Sequence, residues 1–108
     1  MIVFTYPGQG SQTPGMGAAW KDHPSWELVD EASDVTSRDI GALLLDTNAE
    51  ELTMTRNAQL ATFITSMVVL DAVNRTGAEA AAHAGHSLGE YSALTAAGAL
   101  DFADAVLL

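Results

Sequence analysis

The sequence contains no cysteine among its 108 residues. This absence excludes a disulfide framework, a thiolate metal site and a cysteine nucleophile. Basic residues are also scarce. The sequence has four Lys and Arg in total and 14 Asp and Glu, which gives a formal net charge of -10. An acidic chain of this kind is repelled by nucleic acid and by anionic membrane surfaces. We therefore expect neither as a partner.

The sequence also lacks a long hydrophobic run at its N-terminus. No basic segment precedes the first apolar residues, and Pro7 ends that run too early for a signal peptide or a membrane span. No internal repeat, linker or low-complexity tract divides the chain. The composition favours a globular protein of the cytoplasm, and it predicts neither a metal ion nor a bound cofactor.

Only two segments are typical of β-strands. Residues 2–6 are rich in β-forming side chains and are followed by a Pro-Gly turn, and residues 80–84 form a short run of small residues. A sheet of two parallel strands is not stable by itself. We therefore expect an α/β fold, helix-rich in this chain, in which residues 1–108 are the N-terminal portion of a single larger domain.

The region between the strands is predicted to be helical. Pro24 favours the first turn of an amphipathic helix, and a capping-box pattern that begins at Thr47 or, equally, at Asn48 indicates a second, brief helix. Asn57 is a candidate N-cap for the longest helix, which is apolar on more than one face and is expected to be buried. Met54, just before it, is expected to join the core.

Two further helices are predicted after the second strand. Alanines and apolar residues recur at helical spacing from residue 88 to residue 100, with Gly98 near the end. Asp101 is then a candidate N-cap for a helix over residues 102–108, which we expect to end with exposed apolar side chains.

The segment Gly85-His86-Ser87-Leu88-Gly89 has the pattern Gly-x-Ser-x-Gly, placed between the second strand and the helix that follows it. At such a position the chain must turn sharply, and side chains at the two glycines would collide across the turn. The hydroxyl of Ser87 is then exposed at the apex. The motif predicts a serine nucleophile for acyl transfer or hydrolysis.

A glycine-rich loop follows the first strand, with Gly8 and Gly10 on either side of Gln9. Phosphate binding does not fit, because no Gly-Lys-Ser/Thr follows and Thr13 stands where a dinucleotide-binding fingerprint needs a third glycine. An oxyanion hole fits better, with one backbone N–H from Leu88, directly after the serine, and another from this loop, at Gln9.

The histidines and arginines within the chain do not complete this site. His86 is next to Ser87 in sequence, but adjacent side chains diverge at a sharp turn, so that we expect it to pack or hydrogen-bond beside the site rather than act as the base. His23 and His83 are expected to be structural or exposed. The arginines are interpreted as surface charges rather than a substrate clamp; they are Arg38, Arg56 and Arg75.

These motifs resemble the malonyl-CoA:acyl carrier protein transacylase family and the related acyltransferase domains of polyketide and fatty-acid synthases. The resemblance is carried by residues 6–12, by Gly15-Met16-Gly17 and by residues 84–94, in the family's order. It spans the whole chain, including Asn57-Ala58-Gln59 and residues 101–105, but it matches only the first third or so of the family's catalytic domain.

The resemblance implies an α/β-hydrolase-like acyltransferase fold and a ping-pong reaction. Ser87 would attack the thioester of malonyl-CoA while the backbone N–H groups of Gln9 and Leu88 hold the oxyanion, and the malonyl group would then pass to the phosphopantetheine thiol of an acyl carrier protein. The residues expected to bind the substrate or support the loops are Gly8, Gly10, Gly85, His86 and Gly89. The family's catalytic histidine and carboxylate-binding arginine would lie beyond Leu108, so we expect the 108 residues alone to be inactive.

Three alternatives remain open from the residues. A serine esterase or lipase-like hydrolase shares the serine motif and an oxyanion loop. An acyltransferase for another extender, such as methylmalonyl-CoA, is the second. Leu88, directly after the serine, resembles the apolar residue that malonyl-selective relatives have at this position. Methylmalonyl-selective domains often have Gln there. A non-catalytic binding segment is the third.

Overall fold

The computed structural model describes residues 2–107, and within them two short strands pair in parallel. Strand β1 (Val3–Tyr6) pairs with β2 (Ala82–Gly85), so that Val3 lies opposite Ala82 and Tyr6 opposite Gly85. Parallel strands need a long crossover connection, and helices supply it here. The predicted α/β fold, helix-rich and with two parallel strands, is confirmed.

Helices make up most of the described chain. Single 3-10 turns at Ala18–Trp20 and Pro24–Trp26 come first. The α-helices within residues 2–107 are α1 (Glu27–Thr36), α2 (Ile40–Leu45), α3 (Ala49–Leu52), α4 (Thr55–Arg75), α5 (Leu88–Ala96) and α6 (Phe102–Val106). Of the helices in this range, none is both long and apolar enough to cross a membrane.

The longest helix, α4, is the main wall of the apolar core. Its residues Ile64 and Val68 are buried in one cluster with Val29 of α1 and with Ile40 and Leu44 of α2. The sequence-based expectation of a buried central helix is therefore confirmed. Its burial also fixes the position of its N-terminal turn, which is part of the candidate site.

The start of α4 differs from the sequence-based prediction. The helix begins at Thr55 with Met54 in the capping position, and no side chain caps it. The Asn57 side chain instead donates from Nδ2 to the carbonyl oxygen of Glu51 at 3.0 Å and accepts a hydrogen bond from Arg38. Asn57 lies inside the first turn of α4 and therefore cannot cap the helix. Its side chain instead ties α4 to the end of α3.

Two predictions about burial are wrong. Met54 is 62% exposed rather than part of the core, since its capping position projects it from the helix end. Val106, expected to be exposed with the residues that follow it, is 1% exposed and belongs to the core cluster, whereas Leu107 is exposed as expected. Leu108 lies outside the described residues.

The last two helices also differ from the sequence-based prediction. Helix α5 ends at Ala96 rather than near residue 100, and Gly98 follows with a φ of +85° that glycine adopts without strain. Asp101 does occupy the N-cap of α6, but its side chain makes no capping hydrogen bond. For the brief helix α3, by contrast, Asn48 accepts a bond from the backbone N–H of Glu51 at 2.9 Å, which decides between the two caps that the sequence left open.

A polar network ties the end of α4 to the start of α1. The buried Ser25 hydroxyl donates to Asp71 Oδ2 at 2.7 Å, and Arg75 Nε donates to the same oxygen at 2.8 Å. Arg75 also contacts Glu27 Oε1 at 3.2 Å. The hydrogen bond from Ser25, aided by Arg75, holds the pKa of Asp71 below its usual value despite the opposing effect of burial.

Candidate active site

The glycine-rich loop and the serine motif leave the sheet at the same edge. Because β1 and β2 run parallel with Tyr6 opposite Gly85, the chain segments that follow both strands start side by side. The contact is tight, since a β-carbon on Gly8 would lie 2.9 Å from the carbonyl oxygen of His86. The fold thus brings together two motifs separated by more than 70 positions in the sequence.

Ser87 has a strained backbone at the turn between β2 and α5. Its φ of 54° and ψ of -115° are unusual for a residue with a side chain, and such strain costs on the order of 1–3 kcal/mol. Two hydrogen bonds secure the turn: Gly89 N–H donates to the His86 carbonyl and Glu90 N–H donates to the Ser87 carbonyl, each at 2.9 Å. Ser87 itself is exposed at the apex.

The two glycines of the motif are required by close backbone contacts. A β-carbon on Gly85 would lie 1.9 Å from the carbonyl oxygen of Gly89. A β-carbon on Gly89 would lie 2.3 Å from the carbonyl oxygen of Tyr6, at the end of β1. No real β-carbon approaches an oxygen so closely, so a side chain at either position would displace the turn that presents Ser87.

The two backbone N–H groups expected to form an oxyanion hole are available. Within residues 2–107, neither the N–H of Gln9 nor that of Leu88 donates a hydrogen bond. Leu88 is the first residue of α5, where N–H groups lack partners within the helix and the helix dipole favours negative charge. The Gln9 loop is shaped by Gly10, which has a φ of +112° and donates its N–H to Gln12 Oε1 at 2.8 Å.

A cavity of about 340 Å³ opens beside Ser87. Its walls come from the first turns of α4, from α5 and from α6, and they include Arg56, Gln59, Phe63 and Tyr91. Phe63 stacks on Phe102, with ring centroids 5.8 Å apart, and so joins α4 to α6 behind the cavity. A cavity of this size can hold an acyl group next to the serine hydroxyl.

Local sequence patterns did not identify the contribution of α4 to this site. The sequence predicts Arg56 to be a surface charge, and it indicates Gln59 only as part of the Asn57-Ala58-Gln59 segment. Both lie about 30 positions before Ser87, and only the packing of α4 against α5 brings them to the same cavity. The resemblance of the Asn-Ala-Gln segment was the one signal in the sequence that could have indicated them.

None of the histidines within residues 2–107 hydrogen-bonds to Ser87. His86 is exposed and makes no side-chain hydrogen bond within these residues, rather than packing or hydrogen-bonding beside the site as the sequence predicts. His83 shares a hydrogen bond of 2.8 Å with the Tyr6 hydroxyl through Nδ1, and His23 Nδ1 accepts from the backbone N–H of Ser25 at 3.0 Å. Of the two outcomes expected for His23 and His83, structural or exposed, these hydrogen bonds favour the structural one.

Residues 2–107 contain no group of three or more His, Cys, Asp or Glu side chains arranged to hold a metal ion. Tyr6 is the last residue of β1 and precedes the glycine-rich loop. Its hydroxyl contacts His83, and burial raises its pKa. The chemistry available within the described residues is that of a serine hydroxyl, backbone donors and a partly polar cavity.

Comparison with known proteins places this geometry in a family. The family model described as "Acyl transferase domain" matches residues 3–108. The malonyl CoA-acyl carrier protein transacylase of Bacillus subtilis (strain 168) is 49% identical over 107 residues, which are 97% of this chain and 34% of that protein.

Solved structures agree with this assignment. The acyl-carrier-protein S-malonyltransferase of Burkholderia pseudomallei 1710b superimposes with a TM-score of 0.94 at 44% identity, over 98% of this chain and 35% of its own. A malonyl-transacylase in complex with a type II PKS acyl-carrier protein superimposes with a TM-score of 0.91 at 38% identity, over 98% of this chain and 35% of its own.

The chain spans about a third of the length of these relatives. The family match nevertheless covers nearly all of its residues and includes both the glycine-rich loop and the serine turn. The chain belongs to the acyl transferase domain family.

Proposed function

We propose that residues 1–108 are the N-terminal portion of one acyltransferase catalytic domain of the cytoplasm. This domain transfers a malonyl group from malonyl-CoA to the phosphopantetheine thiol of an acyl carrier protein. The observation that carries the proposal is the strained Ser87 at the N-terminus of α5, exposed beside a cavity of about 340 Å³. The names of the relatives support the choice of malonyl donor and carrier acceptor.

The reaction proceeds in two half-reactions. Ser87 Oγ attacks the thioester carbonyl carbon of malonyl-CoA, its proton passes to a base, and the C–S bond breaks to release the CoA thiol. The malonyl-serine ester is then attacked by the carrier thiol, which gives up its proton, and the ester C–O bond breaks to restore the Ser87 hydroxyl. Each half-reaction passes through a tetrahedral oxyanion.

The backbone N–H groups of Gln9 and Leu88 stabilise that oxyanion. One donor of this kind contributes about 10²–10³ in turnover. Gly8 and Gly10 let the loop approach the serine turn, while Gly85, His86 and Gly89 hold the turn itself. The base and the arginine that binds the malonyl carboxylate come from residues after 108 in the complete domain.

The test compares transfer with hydrolysis in the complete domain that contains this chain. Malonyl-CoA is supplied with and without a holo acyl carrier protein, and malonyl-carrier and free malonate are quantified. We expect malonyl-carrier as the main product and little malonate in the absence of carrier. Release of malonate at the same rate with and without carrier would instead identify a serine hydrolase.

Donor choice is tested in the same assay by competition between malonyl-CoA and methylmalonyl-CoA. Leu88 is an apolar residue directly after the nucleophile and lines the cavity. We expect malonyl-carrier to predominate. A predominance of methylmalonyl-carrier would contradict the malonyl assignment and leave the acyltransferase assignment in place.

A further inference from the structure

Arg56 lies in the first turn of α4 and lines the same cavity as Ser87. Arg56 is exposed, whereas Ala105 and Val106, which line the same cavity, are buried. No other Lys or Arg of the described residues lines this cavity.

The three arginines differ in what they contact. Arg75 forms ion pairs with Asp71 and Glu27, and Arg38 donates a hydrogen bond to Asn57. Within residues 2–107, Arg56 makes neither an ion pair nor a side-chain hydrogen bond. Its five N–H donors are therefore free for a ligand that enters the cavity.

The charge around the site opposes an anionic ligand. The chain carries a formal net charge of -10, and the carboxylate of Glu90 lines the cavity together with Arg56. An acyl-CoA approaching Ser87 is itself a polyanion, so the surrounding field repels it. The one arginine among the described residues that line the cavity, Arg56, offsets this repulsion.

The exposure of Arg56 indicates which part of the ligand it contacts. The acyl group must reach Ser87, whereas phosphate groups remain in water because their desolvation is costly. An exposed arginine is therefore suited to bind a phosphate on the part of the substrate that leads out of the cavity. Its planar guanidinium can donate two hydrogen bonds to such a phosphate.

We propose that Arg56 binds a phosphate of the pantetheine arm and thereby sets the affinity of the site for its thioester substrates. The phosphate belongs either to CoA or to the phosphopantetheine of the carrier. This inference rests on the acyltransferase function proposed above. It makes Arg56 a substrate-binding residue that acts on KM rather than on the chemical step.

The experiment uses Arg56→Gln, Arg56→Lys and the control Lys21→Gln in the complete domain. Lys21→Gln removes the same unit of charge from an exposed turn that does not line the cavity. Each variant is assayed with malonyl-CoA and with malonyl-N-acetylcysteamine, a thioester with the same acyl group but no phosphate. Thermal melting verifies that all variants are folded.

With Arg56→Gln we expect KM for malonyl-CoA to rise about threefold to tenfold with kcat unchanged, as for loss of a partly exposed charge-assisted contact. Arg56→Lys should recover part of the loss, and Lys21→Gln should change nothing. The KM for malonyl-N-acetylcysteamine should be the same in all variants. If the carrier supplies the phosphate, the KM for holo carrier protein rises instead of that for malonyl-CoA.

An equal rise in KM for malonyl-CoA and for the phosphate-free thioester would overturn the inference, because the effect would then not depend on phosphate. Unchanged KM values for both CoA donor and carrier would overturn it as well. Either result leaves the proposed function intact, whereas absence of transfer in the unmodified domain would refute that function itself.

Discussion

Gly85 and Gly89 are in backbone contact across the serine turn, so close that a β-carbon on Gly85 would lie 1.9 Å from the carbonyl oxygen of Gly89. This contact defines how tightly the chain turns between β2 and α5. It also places Gly89 against the end of β1, where its own β-carbon would lie 2.3 Å from the carbonyl oxygen of Tyr6. The geometry of Ser87 therefore depends on two residues that carry no side chain.

Gly85→Ala should destabilise the domain by about 2–3 kcal/mol or more, because the clash is with backbone atoms that cannot move independently. Gly41→Ala is a matched control within α2, where the nearest atom to a new β-carbon is Asp39 Oδ1 at 3.4 Å. It should be neutral or stabilise by up to about 1 kcal/mol through helix propensity. Urea unfolding measures both, and equal effects would contradict the close contact.

Gln9→Pro should reduce turnover far more than Gln9→Ala. Alanine keeps the backbone N–H, whereas proline removes it and fixes φ, so we expect a loss of about 10²–10³ in kcat for proline and a much smaller loss for alanine. Single-turnover kinetics with malonyl-CoA measure the difference, after melting curves have shown that both variants are folded. Similar losses for the two variants would argue against a main-chain donor at Gln9.

Ser25→Ala should cost about 1.5–3 kcal/mol at neutral pH, because it removes a hydrogen bond of 2.7 Å to the charged Asp71. The lowered pKa of Asp71 contributes stability that is present above its ordinary value of 3.8 and is lost as the pH falls through the folded-state pKa. The difference between the parent and Ser25→Ala should therefore shrink in acid. Chemical unfolding over a series of pH values tests this, and a difference that does not change with pH would contradict it.

Tyr6→Phe should remove a component of alkaline sensitivity. Burial raises the pKa of Tyr6 above 10.0, so its contribution to stability is intact below that pH and is lost as the pH rises toward the folded-state pKa. At neutral pH the variant should be less stable by about 1 kcal/mol, since the bond to His83 is lost. If the parent and Tyr6→Phe lose stability in parallel above about pH 10, the phenol does not contribute in this way.

The serine turn and its strand could be predicted from the sequence because their chemistry is local. Gly85 and Gly89 fix a turn within five residues, and the β-rich run before Pro7 indicates the first strand without reference to the rest of the fold. The parallel pairing that joins them follows from the general rule that strands linked by helices run parallel.

The start of α4 and the cavity beside Ser87 could not be predicted in the same way. Asn57 is a good capping residue, yet the helix begins at Thr55, and the Asn57 side chain instead bonds the carbonyl oxygen of Glu51 and the guanidinium of Arg38. Arg56 reaches the site only through the packing of α4 against α5. Such contacts depend on tertiary structure, and no local pattern encodes them.

Identification of the residue that carries the acyl group tests the account most directly. The complete domain is incubated with malonyl-CoA in the absence of carrier, its intact mass is measured, and the modified peptide is sequenced by tandem mass spectrometry. We expect one malonyl group on Ser87, complete loss of the adduct in Ser87→Ala, and release of the group on addition of holo carrier protein. An adduct of undiminished yield in Ser87→Ala would contradict the assignment of Ser87 as the nucleophile.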